Sequence, residues 1–251
     1  MNILVENIIL NHVTRSFQTS NLGRTNCDPR IILKYILIVL QSGMPWRHLC
    51  NTDCPYDFRT VHTFFRKWSR HHVFKDAYCA LHKLYSSKRR TKYHCIDSSY
   101  IKNIYGRDCV GRNPTDRGRK ATKLSAIVDD NGIPSALFFC CGNTSDYNTV
   151  VPTLESSICQ IKTRIPLYAD KGYDSNKVRT CIRNHNYVDR VCKRGVRIHR
   201  VVNRKRGIVE RFFSWLDKNR RLILRYDALH CSLSSFTWLA SCRIISRWIS
   251  Q

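Results

Sequence analysis

Acidic residues are scarce in this sequence of 251 residues, in which 18 Asp and Glu face 43 Lys and Arg and the formal net charge is +25. Such a charge disfavours a compact fold unless a polyanion neutralises it. Nucleic acid is the usual polyanion, because each neutralised phosphate releases counterions. An anionic membrane surface is the alternative, but the sequence lacks both a segregated basic amphipathic helix and an uncharged apolar run long enough to cross a membrane. The composition therefore predicts a nucleic-acid-binding protein with no membrane partner.

A secretory leader is also missing, because the first ten residues contain Glu6 and have neither a cationic start nor a small-residue cleavage site. The 13 cysteines are therefore expected to be reduced, as small apolar side chains. We expect an intracellular protein, in the cytoplasm or nucleoid of a bacterial host or in the nucleus of a eukaryotic or viral host. A zinc site at His48, Cys50, Cys54 and His62 stays open as an alternative, although zinc fingers mostly use tighter paired spacings.

Residues 1–86 are predicted to form a small helical domain. The strongly apolar segment 29–42 is typical of a buried helix, and the segment 61–74 places apolar residues at helical spacing with Arg66 and Lys67 between them. Two helices, an intervening turn and a basic second helix favour a DNA reader of the helix-turn-helix type. An ordinary helical cap on the next domain fits the pattern equally well.

The second predicted domain, residues 87–251, alternates strands and helices. An Asn-Gly turn between two apolar strands is the strongest local hairpin signal. The predicted order is strand 93–101, strand 124–128, strand 134–140, helix 148–163, strand 165–169, helix 175–184, strand 187–192, helix 209–225 and helix 234–249. The fold class is therefore α/β, a mixed sheet flanked by helices that is compatible with an RNase H-like core.

Three carboxylates on separate elements of this domain are candidates for catalysis. Asp97 lies inside the first strand, Asp170 follows the apolar strand 165–169, and Glu210 opens a predicted helix. Ligand sites tend to lie at the carboxyl edge of such sheets. Phosphoryl transfer with two metal ions needs hard oxygen ligands from separate elements, and carboxylates suit Mg²⁺. On spacing alone, simple pairing of each acid with a nearby Lys or Arg remains a competing interpretation.

Five motifs carry a resemblance to a known family. They are ILKYILIVLQSGMPWRHL, IDSSYIK, GRNPTDRGRKATKLSAIVDDNGIPSALFFCCGNTSD, LYADKGYDS and RGIVERFFSWLDKNRRLILRYD. The chain from about Gly23 to Tyr226 resembles the IS5 family of bacterial insertion-sequence transposases, within the larger IS4-like DDE group. The resemblance gives the DDE roles to Asp97, Asp170 and Glu210. It also implies an RNase H-like catalytic fold, Mg²⁺ or Mn²⁺ as cofactor, recognition of terminal inverted repeats, and oligomeric assembly on DNA ends.

The positions around the glutamate depart in part from the pattern of the wider group, which has a Tyr, an Arg and a later basic residue. Arg206 matches the arginine and lies four residues before Glu210, on the same helical face. Asn203 replaces the tyrosine and Asp217 replaces the later basic residue. Arg221 is predicted to supply positive charge on the Glu210 face instead.

The predicted function is that of a DNA transposase, which binds terminal inverted repeats and target DNA and catalyses strand cleavage and strand transfer with two Mg²⁺ or Mn²⁺ ions. A catalytically silent DNA-binding protein derived from a transposase is the main alternative, and a nuclease without strand transfer is another. Basic segments 88–92 and 193–206 are further candidate DNA tracks. The individual residues predicted to contact DNA are Lys171, Arg206, Arg221, Arg117, Arg119, Lys120, Arg66 and Lys67.

Overall fold

The structure, a computed structural model, describes residues 2–17, 27–159, 161–196 and 200–249. The helices are α1 (Ile3–Ser16), α2 (Pro29–Ser42), α3 (Phe58–Arg70), α4 (Val73–Lys88), α5 (Asp146–Glu155), α6 (Asn176–Asn184), α7 (Arg200–Asp217) and α8 (His230–Ile249). The strands are β1 (His94–Asn103), β2 (Gly111–Arg112), β3 (Lys120–Asp129), β4 (Pro134–Cys141), β5 (Ile165–Ala169), β6 (Tyr187–Val191) and β7 (Leu224–Arg225). Short 3₁₀ helices cover Trp46–Asn51, Lys171–Tyr173 and Arg220–Leu222. No helix in the described ranges is both long and apolar enough to cross a membrane.

The chain divides into two compact units. One unit combines residues 1–87 with residues 216–251, and the other comprises residues 88–215. The sequence prediction instead assigned everything after residue 86 to the second domain. The C-terminal helix groups with the N-terminal helices because its aromatic face completes their core, where Phe236 stacks on Phe65 with ring centroids 4.3 Å apart.

In the helical unit, α2 has the predicted bounds, and its two ends show why. The side chain of Asp28 accepts a hydrogen bond from the Arg30 N–H at 2.8 Å and caps the first turn, in which Pro29 needs no hydrogen-bond partner. Gly43 ends the helix in the left-handed conformation, with φ of +71°. A Cβ atom at Gly43 would lie 2.9 Å from the Cβ of Arg220, so close packing also requires glycine there.

The predicted second helix of this unit is shorter than its sequence pattern. Helix α3 starts at Phe58, where the Asp57 side chain accepts from the Arg59 N–H at 2.7 Å, and it ends at Arg70. His72 then adopts a positive φ of +54°, which a continuous helix does not allow, and α4 begins at Val73. The segment 61–74 therefore spans the end of one helix and the start of the next.

The second unit is built on a mixed sheet, in the strand order β4-β3-β1-β5-β6. The first three strands are antiparallel, β5 and β6 run parallel to β1, and the short β2 pairs with the start of β3. Helices follow β4, β5 and β6 along the chain. This topology is an RNase H-like fold, as the sequence predicted. The hairpin between β3 and β4 is also confirmed, with Gly132 at φ of +83° in its turn.

Two helices of this unit differ from prediction in ways that affect the site. Helix α5 begins at Asp146 and ends at Glu155, whereas the predicted helix covered residues 148–163. Helix α7 begins at Arg200, so Glu210 lies in its interior and does not open it. The helix ends at Asp217 because the Asn219 N–H and side chain both bond to the Leu216 carbonyl, and a separate 3₁₀ turn follows.

Candidate active site

The sheet brings the two predicted aspartates to the same level on adjacent strands. Parallel pairing of β1 with β5 aligns Cys95 with Tyr168. Asp97 lies two residues after Cys95, and Asp170 lies two residues after Tyr168. Because side chains alternate between the two faces of a sheet, extending the register by two residues places both carboxylates side by side on one face. The apolar sequences of β1 and β5 therefore position two acids that are 73 residues apart in the chain.

A single guanidinium group pairs with both aspartates. Arg206 of α7 places Nη1 3.1 Å from Asp170 Oδ1 and Nη2 3.9 Å from Asp97 Oδ2. The arginine side chain is only 13% exposed, and its Nε atom is buried with no hydrogen-bond partner among the described residues. Two carboxylates that converge on one cation supply the hard oxygen donors that a divalent metal ion prefers, so the chemistry of these residues fits the metal that the family resemblance implies.

Burial controls the ionisation of Asp97. The pKa of the carboxyl group is raised to about 6, chiefly by removal from solvent. The Ser98 N–H and the Arg206 charge lower this pKa, and the negative charges of Asp146 and Asp170 raise it. The Ser98 N–H donates to Asp97 Oδ1 at 2.8 Å. With this pKa, the Asp97 carboxylate is largely ionised at neutral pH.

The third predicted acid is not part of this cluster in the structure. Glu210 lies one helical turn after Arg206 on α7, on the same face, and its side chain is exposed. Among the residues that the structure describes, no group of three or more His, Cys, Asp or Glu side chains is arranged to hold a metal ion. The geometry therefore joins Asp97, Asp170 and Arg206, and leaves Glu210 adjacent to them along the helix.

Comparisons with known proteins assign this chain to a family. Residues 89–233, more than half of the chain, match the family model "Transposase DDE domain", and residues 7–78 match "Putative transposase of IS4/5 family". A protein of Burkholderia cepacia named "Putative transposase for insertion sequence element IS402" is 31% identical over 171 residues, which cover 64% of this chain and 77% of that protein. The chain belongs to the IS4/5 family of DDE transposases.

Solved structures of other transposases are more distant from this one. The crystal structure of the Mos1 strand transfer complex aligns with 95% of this chain, and the alignment includes 82% of the Mos1 chain. The TM-score is 0.37 and the sequence identity is 12%. The crystal structure of the Mos1 mariner paired-end complex with Mn aligns with 97% of this chain and with 84% of the Mos1 chain. The TM-score is 0.31 and the sequence identity is 13%. Likenesses of this size do not enter the family assignment.

Three residues that the sequence analysis did not single out border the aspartate pair of this transposase. Ser98 follows Asp97 on β1, Asp146 starts α5, and Lys123 lies on β3. The Asp146 Oδ1 atom accepts hydrogen bonds from Ser98 Oγ at 2.5 Å and from Lys123 Nζ at 2.9 Å. Their sequence signals were slight: Lys123 is a lone charge beside an apolar strand, and Asp146 precedes the predicted helix by two residues.

The basic residues predicted to contact DNA lie at several separate places. Lys171 is exposed directly after Asp170. Arg66 and Lys67 are exposed on α3, where the Lys67 ammonium lies 4.3 Å from the centroid of the Phe17 ring. The three cations between β2 and the first residue of β3 are exposed as well, namely Arg117, Arg119 and Lys120. Of the basic segment 193–206, residues 197–199 lie outside the described residues.

The location of Arg221 does not match the predicted DNA contact. Its side chain is 5% exposed and donates two hydrogen bonds to Asp227, Nε at 3.1 Å and Nη2 at 2.9 Å. A third bond reaches the Met44 carbonyl at 3.2 Å. The prediction places Arg221 on the same helical face as Glu210, in a helix that extends to residue 225. Because α7 ends at Asp217, Arg221 is not on that helix and does not share the face of Glu210. Arg221 is placed to stabilise the helical unit, and we do not include it in the DNA surface.

Two of the four residues of the open zinc alternative have contacts of another kind, and no metal-holding group of His and Cys occurs among the described residues. Cys50 Sγ donates to the Arg47 carbonyl at 2.9 Å, and the His62 ring packs on Trp46 with centroids 4.9 Å apart. Burial lowers the pKa of His62. These contacts are those of ordinary polar and aromatic packing in the helical unit.

Proposed function

We propose that this chain cuts and joins DNA at the ends of an insertion element, with Asp97, Asp170 and Glu210 as the acidic residues that bind Mg²⁺ or Mn²⁺. The observation that supports it most directly is the convergence of two aspartates, from adjacent parallel strands, on the single cation Arg206. Two such ions would activate the attacking water or 3′-hydroxyl and stabilise the leaving oxygen.

The protein side chains divide this task. Asp97 lies within β1 and Asp170 directly follows β5, and a metal site supported by such regular elements is more precise than one built on loops. Glu210 is exposed on α7 and can approach the pair by a change of side-chain rotamer or a small shift of the helix when DNA binds. Arg206, one turn earlier, would bind a phosphate close to the reacting bond, because a guanidinium donates to phosphate oxygens in a fixed planar geometry.

Double-stranded DNA is the proposed partner, both as terminal inverted repeats and as target, with a homo-oligomer assembled on the ends. Lys171 extends the positive charge from the site, and the exposed cations Arg117, Arg119 and Lys120 would bind the backbone further away. Arg66 and Lys67 support a DNA-binding role for residues 1–86, since both lie on the solvent side of α3. We place this activity inside the cell, in the cytoplasm or nucleoid of a bacterium or the nucleus of a eukaryotic or viral host.

The test is cleavage of a supercoiled plasmid that carries the DNA flanking the gene, with Mg²⁺ or Mn²⁺. Wild-type protein is compared with Asp170→Asn, which removes a ligand charge at nearly constant shape, and with Asp116→Asn as a control of equal charge change. We expect nicks at discrete ends and joined products with the wild type and the control, and neither with Asp170→Asn. Discrete nicks without joined products would indicate a nuclease.

Two observations favour the silent DNA-binding alternative. Among the described residues, no third His, Cys, Asp or Glu side chain joins the aspartate pair in a metal-binding arrangement, and the neighbouring family positions are occupied by Asn203 and Asp217. Tight binding to the element ends without metal-dependent cutting by any variant would support that alternative and refute the catalytic proposal.

A further inference from the structure

A buried lysine lies beside the aspartate pair. The side chain of Lys123 is 2% exposed, and its Nζ atom donates to the Thr144 carbonyl at 2.7 Å and to Asp146 Oδ1 at 2.9 Å. Burial by itself lowers the pKa of Lys123, but the hydrogen bonds and charges of Asp146 and Tyr100 together outweigh it, so the net pKa lies above the usual value. A buried ammonium is costly, and an apolar residue would fill the same place in β3 without that cost. Its presence points to a task for the carboxylate that it holds.

Asp146 is connected to the candidate metal ligand Asp97 through one residue. Ser98 donates its hydroxyl to Asp146 Oδ1 at 2.5 Å and its backbone N–H to Asp97 Oδ1 at 2.8 Å. The hydroxyl bond fixes the Ser98 side chain, and the N–H bond orients the Asp97 carboxylate. Lys123 in turn fixes Asp146, so the chain of contacts ends at a buried and immobile group.

The second oxygen of Asp146 lies beside the other aspartate. Its Oδ2 atom is 3.8 Å from the position that a Cβ atom would take at Gly172, in the turn that directly follows Asp170. The Asp146 carboxylate is 40% exposed, in contrast to the buried Lys123. It therefore lies between the strand that carries Asp97 and the turn after Asp170, with one oxygen bound to the protein and the other facing this turn.

We propose that Asp146 is a positioning residue of the metal site, which fixes the Asp97 carboxylate through Ser98 and adds negative charge for a divalent cation. This inference rests on the proposed function. The three acids Asp97, Asp146 and Asp170 exceed the two bases Lys123 and Arg206 by one charge, so the cluster is net negative in a strongly basic chain.

The experiment measures Mn²⁺ binding to the full chain without DNA, by electron paramagnetic resonance of the free ion at pH 8. Residues that orient a metal ligand typically change metal affinity by about 10- to 100-fold when replaced. We expect Asp146→Asn and Ser98→Ala each to weaken Mn²⁺ binding by about tenfold. Ser98→Thr keeps the hydroxyl and should retain most of the wild-type affinity. Asp116→Asn, which removes one carboxylate charge away from the cluster, should not change it.

A purely structural role for Asp146 predicts a different pattern. If Asp146 only neutralises Lys123, Asp146→Asn would lower stability by leaving a buried charge unpaired. The double variant Lys123→Met/Asp146→Asn removes both charges and should recover stability in urea unfolding. A positioning role requires that the double variant still binds Mn²⁺ about tenfold more weakly than wild type. Ser98→Ala, which deletes one hydroxyl, tests the same link if the Asp146 variants do not fold.

The outcomes separate this inference from the proposed function. Mn²⁺ binding that is lost in Asp97→Asn but unchanged in Asp146→Asn and Ser98→Ala would overturn the role of Asp146 and leave the proposed function intact. Recovery of full affinity in the double variant would also overturn it. Wild-type binding no stronger than that of Asp97→Asn would refute the metal site and the positioning role together.

Discussion

Replacing Arg206 by Gln should strengthen the binding of a divalent cation to the protein alone. Arg206 pairs with the same two carboxylates that are proposed to bind metal, at 3.1 Å from Asp170 and 3.9 Å from Asp97. A metal ion and the guanidinium therefore compete for the same negative charge. Without the guanidinium, both carboxylates can bind the metal ion without competition from Arg206, and the repulsion between the metal ion and the positive charge of Arg206 is removed.

The size of the effect follows from the distances and the exposure. At an effective dielectric constant of about 20, unit charges 3.1 Å apart interact by roughly 5 kcal/mol. The Asp170 carboxylate is 36% exposed, so solvent screening reduces this figure towards the ~1 kcal/mol typical of exposed pairs. The contact with Asp97 is longer but less exposed. A net gain of about 1.4 kcal/mol corresponds to a tenfold increase in affinity, and we expect a change of roughly that size.

Mn²⁺ titration followed by electron paramagnetic resonance measures this change, at pH 8 so that the pKa of about 6 for Asp97 leaves its carboxylate ionised. Arg211→Gln is the matched control, because Arg211 is exposed on the same helix and its replacement removes the same charge. Both variants lower the overall positive charge equally. Equal Mn²⁺ affinities for the two variants, or weaker binding by Arg206→Gln, would refute the competition between guanidinium and metal.

Three further predictions concern stability and DNA binding. Asp227→Ala leaves the buried guanidinium of Arg221 unpaired and should lower the free energy of unfolding by about 3–5 kcal/mol. The control Asp116→Ala breaks the 3.7 Å surface pair with Lys102 and should lower the free energy of unfolding by less than about 1 kcal/mol. Urea unfolding measures both changes. Burial lowers the pKa of His82 from 6.5 to about 4 in the folded protein. Between pH 6.5 and pH 4, His82 is therefore protonated in the unfolded chain but neutral in the folded one, so the free energy of unfolding should fall by up to about 3 kcal/mol as the pH drops through this range. That fall should shrink in His82→Gln but not in the exposed-site control His48→Gln, and an unchanged profile in His82→Gln would contradict the assignment. Replacing Arg117, Arg119 and Lys120 together by Gln should reduce the slope of log affinity against log salt concentration for DNA by up to about 2.7. The same replacement of the exposed residues Lys162, Arg164 and Lys177 should leave the slope unchanged; equal slopes for the two triple variants would rule out this loop as a DNA-binding surface.

The sequence predicts the positions of the two aspartates well because Asp97 lies inside a β-type segment and Asp170 directly follows the apolar strand 165–169. Strand β5 has its predicted bounds, and β1 differs by one residue at its start and two at its end. An acid at the end or in the middle of such a run has few structural explanations, and the family motifs assign both. The register between β1 and β5, which places Asp97 level with Asp170, depends on contacts between distant segments that no local pattern contains.

The remaining parts of the site were missed for the same physical reason. The charge of Lys123 made the apolar strand appear to start at Leu124, although β3 begins at Lys120, because a buried lysine is acceptable only when a distant partner such as Asp146 is present. Arg221 was placed by helical phase from Glu210, and the phase was lost where α7 ends. In both cases tertiary pairing of charges overrides local periodicity.

The local charge of the site explains why a strongly basic protein keeps a small acidic cluster. DNA phosphates are attracted by the net charge of +25, but three carboxylates at the reaction centre would repel the one phosphate that must approach them. Lys123 and Arg206 neutralise part of that charge and leave an excess of one negative charge before Glu210 is counted. If Arg206 exchanges its carboxylate partners for a phosphate as the metal binds, the Arg206→Gln variant should bind metal more tightly and DNA ends more weakly.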